Sequence, residues 1–294
     1  MNTRDIRFKS NRIRDIKSLY HSELDSLYGH AEVAVFVEML FGAFLGWDRV
    51  KLLVDSEKTI NQSDLLRFHW ALEDLRRHRP IQYIIGRTEF CGCRIEVNSS
   101  VLIPRPETEE MVNWVISNFN CQLSTVNCLD LCTGSGCIAI ALKKTFPQAM
   151  VTAVDISPEA LAVARRNAEA NGLEVGFVEC DILSDDFNSQ FSVFNLITAN
   201  PPYVRHSERS DMSPNVLGHE PHGALFVPDA DPLLFYRSIC RIADKSLADT
   251  GLLVLEINEA LASDTADLLC RHGFRSTLHH DFRGRPRFLS ATRF

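Results

Sequence analysis

No stretch of the 294-residue sequence is apolar for long enough to cross a membrane. The longest, AVFVEMLFGAFLGW from Ala34, is broken by Glu38 and falls short of the roughly 20 residues a spanning helix needs, so it reads as a buried helix face. A signal-peptide core is missing as well: the N-terminal segment carries Arg4, Asp5, Arg7, Lys9, Arg12 and Arg14 without an apolar block, and export is not expected. Basic charge is not in excess. With 31 Lys and Arg against 38 Asp and Glu, the formal net charge is -7, which argues against the cationic footprint of duplex nucleic-acid binding. Zinc-site spacing is absent too, because the nine cysteines include no C-x-x-C pair with a nearby histidine, even where Cys128, Cys132 and Cys137 lie close together. In the reducing cytosol expected here they behave as small apolar residues, not as disulfides.

What is present is ordinary globular material, 45% hydrophobic and 23% charged, enough for one sizeable core and a smaller satellite domain. Val33, Phe36, Val37, Leu40, Phe41, Phe44 and Leu45 recur at helical spacing, and Leu65, Phe68, Leu72 and Leu75 repeat the pattern. Signals around these stripes are polar or turn-like, so residues 1–79 are expected to form a small helical domain. From Pro80 the texture changes to IQYIIGRTEF and CGCRIEVN, two β-rich runs around Gly92 that predict a hairpin; residues 80–103 read as a linker. Residues 104–294 begin with a helix in which Pro106 suits the first position, Glu107, Glu109 and Glu110 suit the positive helix start, and Val112, Val115, Ile116 and Phe119 form the buried stripe. Strands and helices then alternate: VNCLDL, a helix from about 136 to 144, AMVTAVDI, the helix PEALAVARRNAEANG, EVGFVECDI, NLITANPP, a helix from about 233 to 247, and GLLVLEIN. That rhythm predicts a doubly wound, mostly parallel α/β sheet. The final segment reads as two strands joined directly around Gly284, which should leave one strand antiparallel.

In such sheets ligands sit at the carboxyl ends of the strands. LDLCTGSGCIA from Leu129 places Gly134 and Gly136 where backbone can approach a ligand, followed by the free N–H groups of a helix start. Gly134-Ser135-Gly136-Cys137-Ile138-Ala139 fits G-x-G-x-x-A, and Asp155 at the next strand end suits a ribose, or else a plain capping role. Asp181, at the end of EVGFVECDI, suits an adenine amino hydrogen with Ile182 packed on the ring, or simply a turn. The fourth strand end is NPPY. The Asn200 side-chain oxygen and the Pro201 carbonyl, held by the restricted backbone of Pro201 and Pro202, can converge on one NH2 group, and Tyr203 offers it a flat face. A conjugated amine is a poor nucleophile; accepting both its hydrogens orients it for attack on a primed electrophile such as a sulfonium methyl group.

The D-x-x-T-G-S-G loop, the acids at Asp155 and Asp181, and NPPY together resemble a class I S-adenosylmethionine-dependent methyltransferase of the amino-group type. More narrowly, QYIIGRTEF, VLIPRPETEE, LDLCTGSGCIAIAL, NPPYV, HEPHGALF and DFRGRPRF, in this order, are similar to the release-factor glutamine methyltransferases, the PrmC/HemK family. The likeness runs from about Pro80 to the C-terminus, and the helical domain before it matches by size and position. It implies a Rossmann-like sheet, a helical domain that helps dock the substrate, and N5-methylation of the glutamine in the Gly-Gly-Gln loop of class I peptide chain release factors. S-adenosyl-L-methionine is then the cofactor and S-adenosyl-L-homocysteine the product. Cys132, Thr133, Gly134, Ser135 and Gly136 are implied to bind the methionine part, Asp155 the ribose, and Asp181 with Ile182 the adenine. Asn200, Pro201, Pro202 and Tyr203 are implied to hold the glutamine, with Asn200 also touching the cofactor and Asn200, Pro201 and Tyr203 carrying the catalysis. Arg105 and Glu107 match PRPETE with a supporting role, although a surface salt bridge serves Arg105 equally; Glu220 and Pro221 match E-P-x-x-A-L and are expected to buttress NPPY. Cys132 departs from the glycine of many members. A cytoplasmic enzyme with no membrane partner and no direct nucleic-acid binding is expected.

Three other readings stay open. A methyltransferase acting on adenine N6 or guanine N2 could use the same NPPY corner, although the acidic composition lacks its basic groove. A nicotinamide-dependent oxidoreductase fits G-x-G-x-x-A but gives NPPY nothing to do. A binding module could keep the fold as scaffold alone.

Overall fold

The computed structural model describes residues 8, 10–119, 126–184 and 193–294. Two compact units divide the chain: Met1–Gly86 with Pro214–His219, and Arg87–Ser213 with Glu220–Phe294. The first holds α1 (Ile13–Tyr28), α2 (His30–Leu45), α3 (Arg49–Val54), α4 (Gln62–Arg76) and α5 (Ile81–Ile85). Its core joins Ile16, Tyr20 and Leu24 to Val37, Phe41, Phe68 and Leu72. Helix α1 lies in the segment whose signals read as polar: its buried stripe is only Ile13, Ile16, Tyr20 and Leu24. Helix α5 corrects the β reading of IQYII. Ile81 and Tyr83 are buried on it, and Gly86, left-handed at φ 80°, stops it by donating to Gln82 O at 2.7 Å. Packing of a short apolar turn outweighs β-branched propensity here.

The second unit opens with β1 (Arg87–Phe90) and β2 (Cys93–Glu96), antiparallel about the two-residue turn Cys91-Gly92, both at positive φ. There follow α6 (Pro106–Asn118), β3 (Asn127–Leu131), α7 (Cys137–Thr145), β4 (Met150–Asp155), α8 (Pro158–Ala170), β5 (Gly176–Glu179), β6 (Phe194–Ala199), β7 (Val204–Arg205), α9 (Pro214–His219, counted with the first unit), β8 (Phe226–Val227), α10 (Leu234–Ser246), β9 (Leu247–Glu256), α11 (Ala262–Arg271), β10 (Phe274–His280) and β11 (Pro286–Arg293). Helix α8 shows why such segments form: Ser157 accepts from Ala160 N at 3.1 Å as N-cap, Pro158 takes the first position, and Leu161, Ala164 and Ala168 face inward. In α6 the buried stripe is Thr108, Met111, Val112 and Val115, and Phe119 sits beyond its end.

The main sheet runs β10-β11-β9-β6-β3-β4-β5, with β11 antiparallel to both neighbours as the direct Gly284 connection requires and the other pairings parallel. Helices α6, α7 and α8 form one packed row, and α10 with α11 another, around a core of Leu129, Leu131, Ile197, Ile239, Leu253 and Leu269. From β3 the order proceeds through β4 to one side and through β6 and β9 to the other, which makes β3/β6 the switch point where a crevice opens. Register does the rest. Leu131 pairs with Val154 and with Ala199, and Ala199 with Leu255, so Cys132, Asp155, Asn200 and Glu256 emerge side by side along the carboxyl edge. Strand β5 stops at Glu179, which moves Asp181 from the expected strand end into the turn beyond it. Among the described residues no helix is long and apolar enough to cross a membrane.

Candidate functional site

A cavity of about 510 Å³ opens over this edge, lined by Thr133, Gly134, Asp155, Asp181, Asn200 and Phe235 among others. The loop that forms its floor is left-handed at every second residue: Cys132 at φ 58°, Gly134 at 54° and Gly136 at 79°. Gly136 is needed twice over, because a β-carbon there would stand 3.0 Å from Ala164 Cβ on α8 as well as at positive φ. Cys132 carries its β-carbon in that region, a conformation that costs a non-glycine residue about 1 kcal/mol.

Asp155 holds the loop. Its Oδ2 accepts from Gly134 N at 2.8 Å and its Oδ1 from Ser157 N at 3.0 Å, while burial pushes its carboxyl above the ordinary aspartate range against those bonds. The carboxylate retains acceptor capacity for a hydroxyl. Asp130, the first residue of the loop pattern, has no role assigned from sequence, yet it is fully buried and accepts from Thr133 Oγ1 at 2.5 Å and Thr198 Oγ1 at 2.9 Å. Burial pushes its carboxyl up to about 7. Asn167 is a second support that sequence does not single out. Its side chain accepts from Glu96 N at 2.7 Å and donates to Glu96 O and Ser135 O, tying the β1–β2 hairpin to the loop. Asp181 accepts from Leu183 N at 2.8 Å with one oxygen, and Ile182 is buried beside it.

At the NPPY corner both prolines are buried. Asn200 Nδ2 donates to Thr108 Oγ1 at 3.2 Å, Thr108 Oγ1 donates to Glu256 Oε2 at 2.6 Å, and Tyr203 Oη donates to Glu256 Oε1 at 2.9 Å. Asn258 Nδ2 donates to Tyr203 O at 3.0 Å and fixes the far side of the turn. Burial holds the Tyr203 phenol well above its usual range and raises Glu256. Of the expected residues, Cys132, Thr133, Gly134, Ser135, Asp155, Asp181, Ile182, Asn200 and Pro202 line the one cavity, whereas Gly136, Pro201 and Tyr203 do not.

Arg105 is more than a surface pair: it meets Glu220 at 2.6 Å, and the Glu220 side chain is only 1% exposed. Glu220 also accepts from Ile103 N at 3.3 Å, so its hydrogen bonds brace residues 103–105 and not the NPPY turn. Pro221 lines the cavity, and Glu107 lies in the first turn of α6 outside the lining. The charged residues of the lining are Arg105, Asp155 and Asp181, with the Arg105 guanidinium committed to Glu220. The cavity is therefore acidic, which suits a cationic ligand and disfavours a pyrophosphate.

Comparison with known proteins gives the family. Residues 109–219 match the methyltransferase small domain and residues 24–86 the PrmC N-terminal domain. The chain is 40% identical to the release factor glutamine methyltransferase of Flavobacterium psychrophilum over 94% of its own length and 98% of that protein, and 37% identical to the one of Bacteroides thetaiotaomicron over 95% and 99%. A methyltransferase from Pyrococcus furiosus shares the fold at a TM-score of 0.50, with 18% identity over 68% of this chain and 88% of that one. A sequence so similar over almost its whole length, with the glycine loop and NPPY meeting in one crevice, belongs to the family of release factor glutamine methyltransferases.

Proposed function

We propose that the protein transfers a methyl group from S-adenosyl-L-methionine to the side-chain amide nitrogen (N5) of the glutamine in the Gly-Gly-Gln motif of class I peptide chain release factors. The observation that carries this reading is the orientation of Asn200. Its NH2 is taken by Thr108, so its amide oxygen is the free group at the cavity, and a free acceptor beside an acidic nucleoside-sized cavity suits an incoming N–H.

The residues fit the cofactor. The volume of about 510 Å³ lies in the range of ligand pockets, the left-handed loop leaves backbone uncovered, and Asp155 and Asp181 keep acceptor capacity for hydroxyl and amino groups. We assign Cys132–Gly136 to the methionine part, Asp155 to the ribose, and Asp181 with Ile182 to the adenine. The bound group supplies an electrophilic methyl on a cationic sulfur, a charge that the two carboxylates of the lining favour. Asn200 Oδ1 and the Pro201 carbonyl accept the two amide hydrogens of the substrate, aligning the nitrogen lone pair with the methyl. Their acceptance grows stronger as that nitrogen becomes cationic, which lowers the barrier more than it lowers the ground state. Proton loss follows methyl transfer, so no general base has to act first. The acidic lining also disfavours the dinucleotide reading, and a cytoplasmic release factor, with no membrane or nucleic-acid partner, is the substrate we assign.

The direct test is labelled methyl transfer to a purified unmodified release factor, to the same factor with the Gly-Gly-Gln glutamine changed, and to bulk RNA and DNA. Label on the intact factor alone is expected; label on nucleic acid alone overturns the substrate. Asn200→Ala should lower kcat by about 100-fold or more while cofactor affinity, read by calorimetry, stays within about twofold. Undiminished turnover in that variant contradicts the role.

A further inference from the structure

One buried charge on the carboxyl edge has no part in the reaction as described. Glu256 follows Leu255, the register partner of Ala199, and so stands next to Asn200 at the strand end. It is 1% exposed, and no Lys or Arg pairs with it among the described residues; the nearby Arg287 is committed to Asp281 at 3.1 Å. A buried carboxyl without an ion pair is costly, yet here both of its oxygens are spent on the side chains that end at the substrate corner. Oε2 accepts from Thr108 at 2.6 Å and Oε1 from Tyr203 at 2.9 Å.

We infer that Glu256 is a positioning residue for the methyl transfer: as an acceptor with no hydrogen of its own, it sets the direction of the chain Asn200 to Thr108 to Glu256 and so turns the Asn200 amide oxygen toward the substrate. The inference rests on the reading of Asn200 as the glutamine holder. Burial raises the Glu256 carboxyl, while its two hydroxyl partners and the nearby Arg287 favour the ionised form; ionised, it can only accept, so the one hydrogen of the threonine hydroxyl goes to Glu256. Thr108 Oγ1 then has only lone pairs to offer Asn200. The reversed amide would set two oxygens face to face at the 3.2 Å now spanned by N–H···O, so the NH2 points to Thr108 and Oδ1 points away from it. The same carboxylate takes the Tyr203 hydrogen and fixes that ring. A donor in place of the carboxylate reverses the logic: it satisfies Thr108 from behind, frees the threonine hydrogen for Asn200 Oδ1, and takes from the substrate the acceptor it needs.

Direction can be tested by reversing the whole chain. Asn200→Asp puts an acceptor opposite a Thr108 hydroxyl whose hydrogen already belongs to Glu256, so the chain cannot close. Adding Glu256→Gln supplies an amide donor at the far end; it donates to Thr108, Thr108 donates to the introduced aspartate, and the second aspartate oxygen faces the substrate. In mildly alkaline buffer, which keeps the introduced aspartate ionised, each single variant should lose kcat by about 10- to 100-fold with cofactor KM within about twofold. The Asn200→Asp/Glu256→Gln pair should then exceed Asn200→Asp by about tenfold, because the two changes are coupled through one hydroxyl. A purely structural Glu256 makes the losses multiply, and a double variant no better than Asn200→Asp overturns the inference. Should Glu256→Gln fail to fold, Thr108 decides: Thr108→Val breaks the chain and lowers kcat by about tenfold, while Thr108→Ser, which keeps the hydroxyl, recovers most of that loss. Equal kcat in the serine and valine variants likewise refutes it. The wild-type enzyme runs alongside, and if it places no label on the release-factor glutamine, the proposed function fails and not the direction of the chain.

Discussion

The two corners of the cavity are held in opposite ways. In the glycine-loop corner the carboxylates close on nearby backbone: Asp155 on Gly134 N and Ser157 N, Asp181 on Leu183 N. At the NPPY corner side chains hold side chains across long stretches of sequence, Asn200 to Thr108 over 92 residues, Thr108 to Glu256 over 148, and Tyr203 to Glu256 over 53. A backbone N–H cannot turn round, so the first corner has one hydrogen-bond pattern. Hydroxyls and amides can turn, so the second has a direction to choose, and one buried charge chooses it. The corner assigned to the invariant cofactor is fixed by covalent geometry; the corner assigned to the reacting nitrogen is fixed by electrostatics.

Asp130 is the exception in the first corner, since its partners are the hydroxyls of Thr133 and Thr198, and it gives the largest predicted effect. Its carboxyl ionises near 4 in an unfolded chain and is pushed up to about 7 by burial in the folded one. Between those values the folded state binds the extra proton, so stability is greatest on the acid side of the window, falls as pH rises through it, and levels off above about 7. The fall is roughly 4 kcal/mol at most. Asp130→Asn mimics the protonated form and has no proton to lose. Its urea-denaturation stability should match the wild type in acid and exceed it in mild alkali; Glu256 and Asp155, also raised by burial, are present in both proteins, so the difference between the two profiles reflects Asp130 together with its coupling to Asp155. Parallel pH profiles for the two proteins would mean that Asp130 is ionised in the fold.

The loop glycines come next. Gly136→Ala adds both positive-φ strain and the 3.0 Å approach to Ala164, and should cost about 2–4 kcal/mol. Gly134→Ala meets nothing within 4 Å and should cost only the strain, about 1 kcal/mol. Equal losses in chemical denaturation would show that backbone strain alone, without helix packing, dictates this corner.

The same contrast explains what could be read in the sequence. The glycine loop, Asp155 and NPPY were legible because each is a short pattern at a strand end, and the antiparallel last strand was legible because Gly284 joins two strands with no room for a crossover. Thr108 and Glu256 carry no local signal: one looks like a polar residue in the first turn of a helix, the other like the end of an apolar strand. The register that sets Leu255 beside Ala199 brings Glu256 to Asn200, and the packing of α6 on β9 brings Thr108 there. Glu220 was visible as part of a motif but its direction was not, because a carboxylate in a loop does not announce that its partners are Ile103 and Arg105. Helix α5 runs against its own sequence, since five residues rich in isoleucine carry a strand preference that burial of Ile81 and Tyr83 outweighs.

The smallest effect concerns Cys132, where this chain has a β-carbon in a left-handed loop. Replacing it by glycine relieves about 1 kcal/mol of strain but gives up the packing of a partly buried thiol and frees the unfolded chain by about 0.5–1 kcal/mol, so Cys132→Gly should change stability by less than about 1 kcal/mol. Cys128 supplies the control. It is fully buried in β3, which has no positive φ to relieve, and Cys128→Gly should lose about 2–3 kcal/mol through the vacated volume and the added chain entropy. The two sites lie four residues apart and both variants add the same chain entropy, so the gap between their denaturation midpoints combines the strain relieved at Cys132 with its smaller loss of packing. If the gap vanishes, Cys132 sits at ease in the loop, and the glycine-loop corner tolerates a side chain where its backbone geometry says it should not.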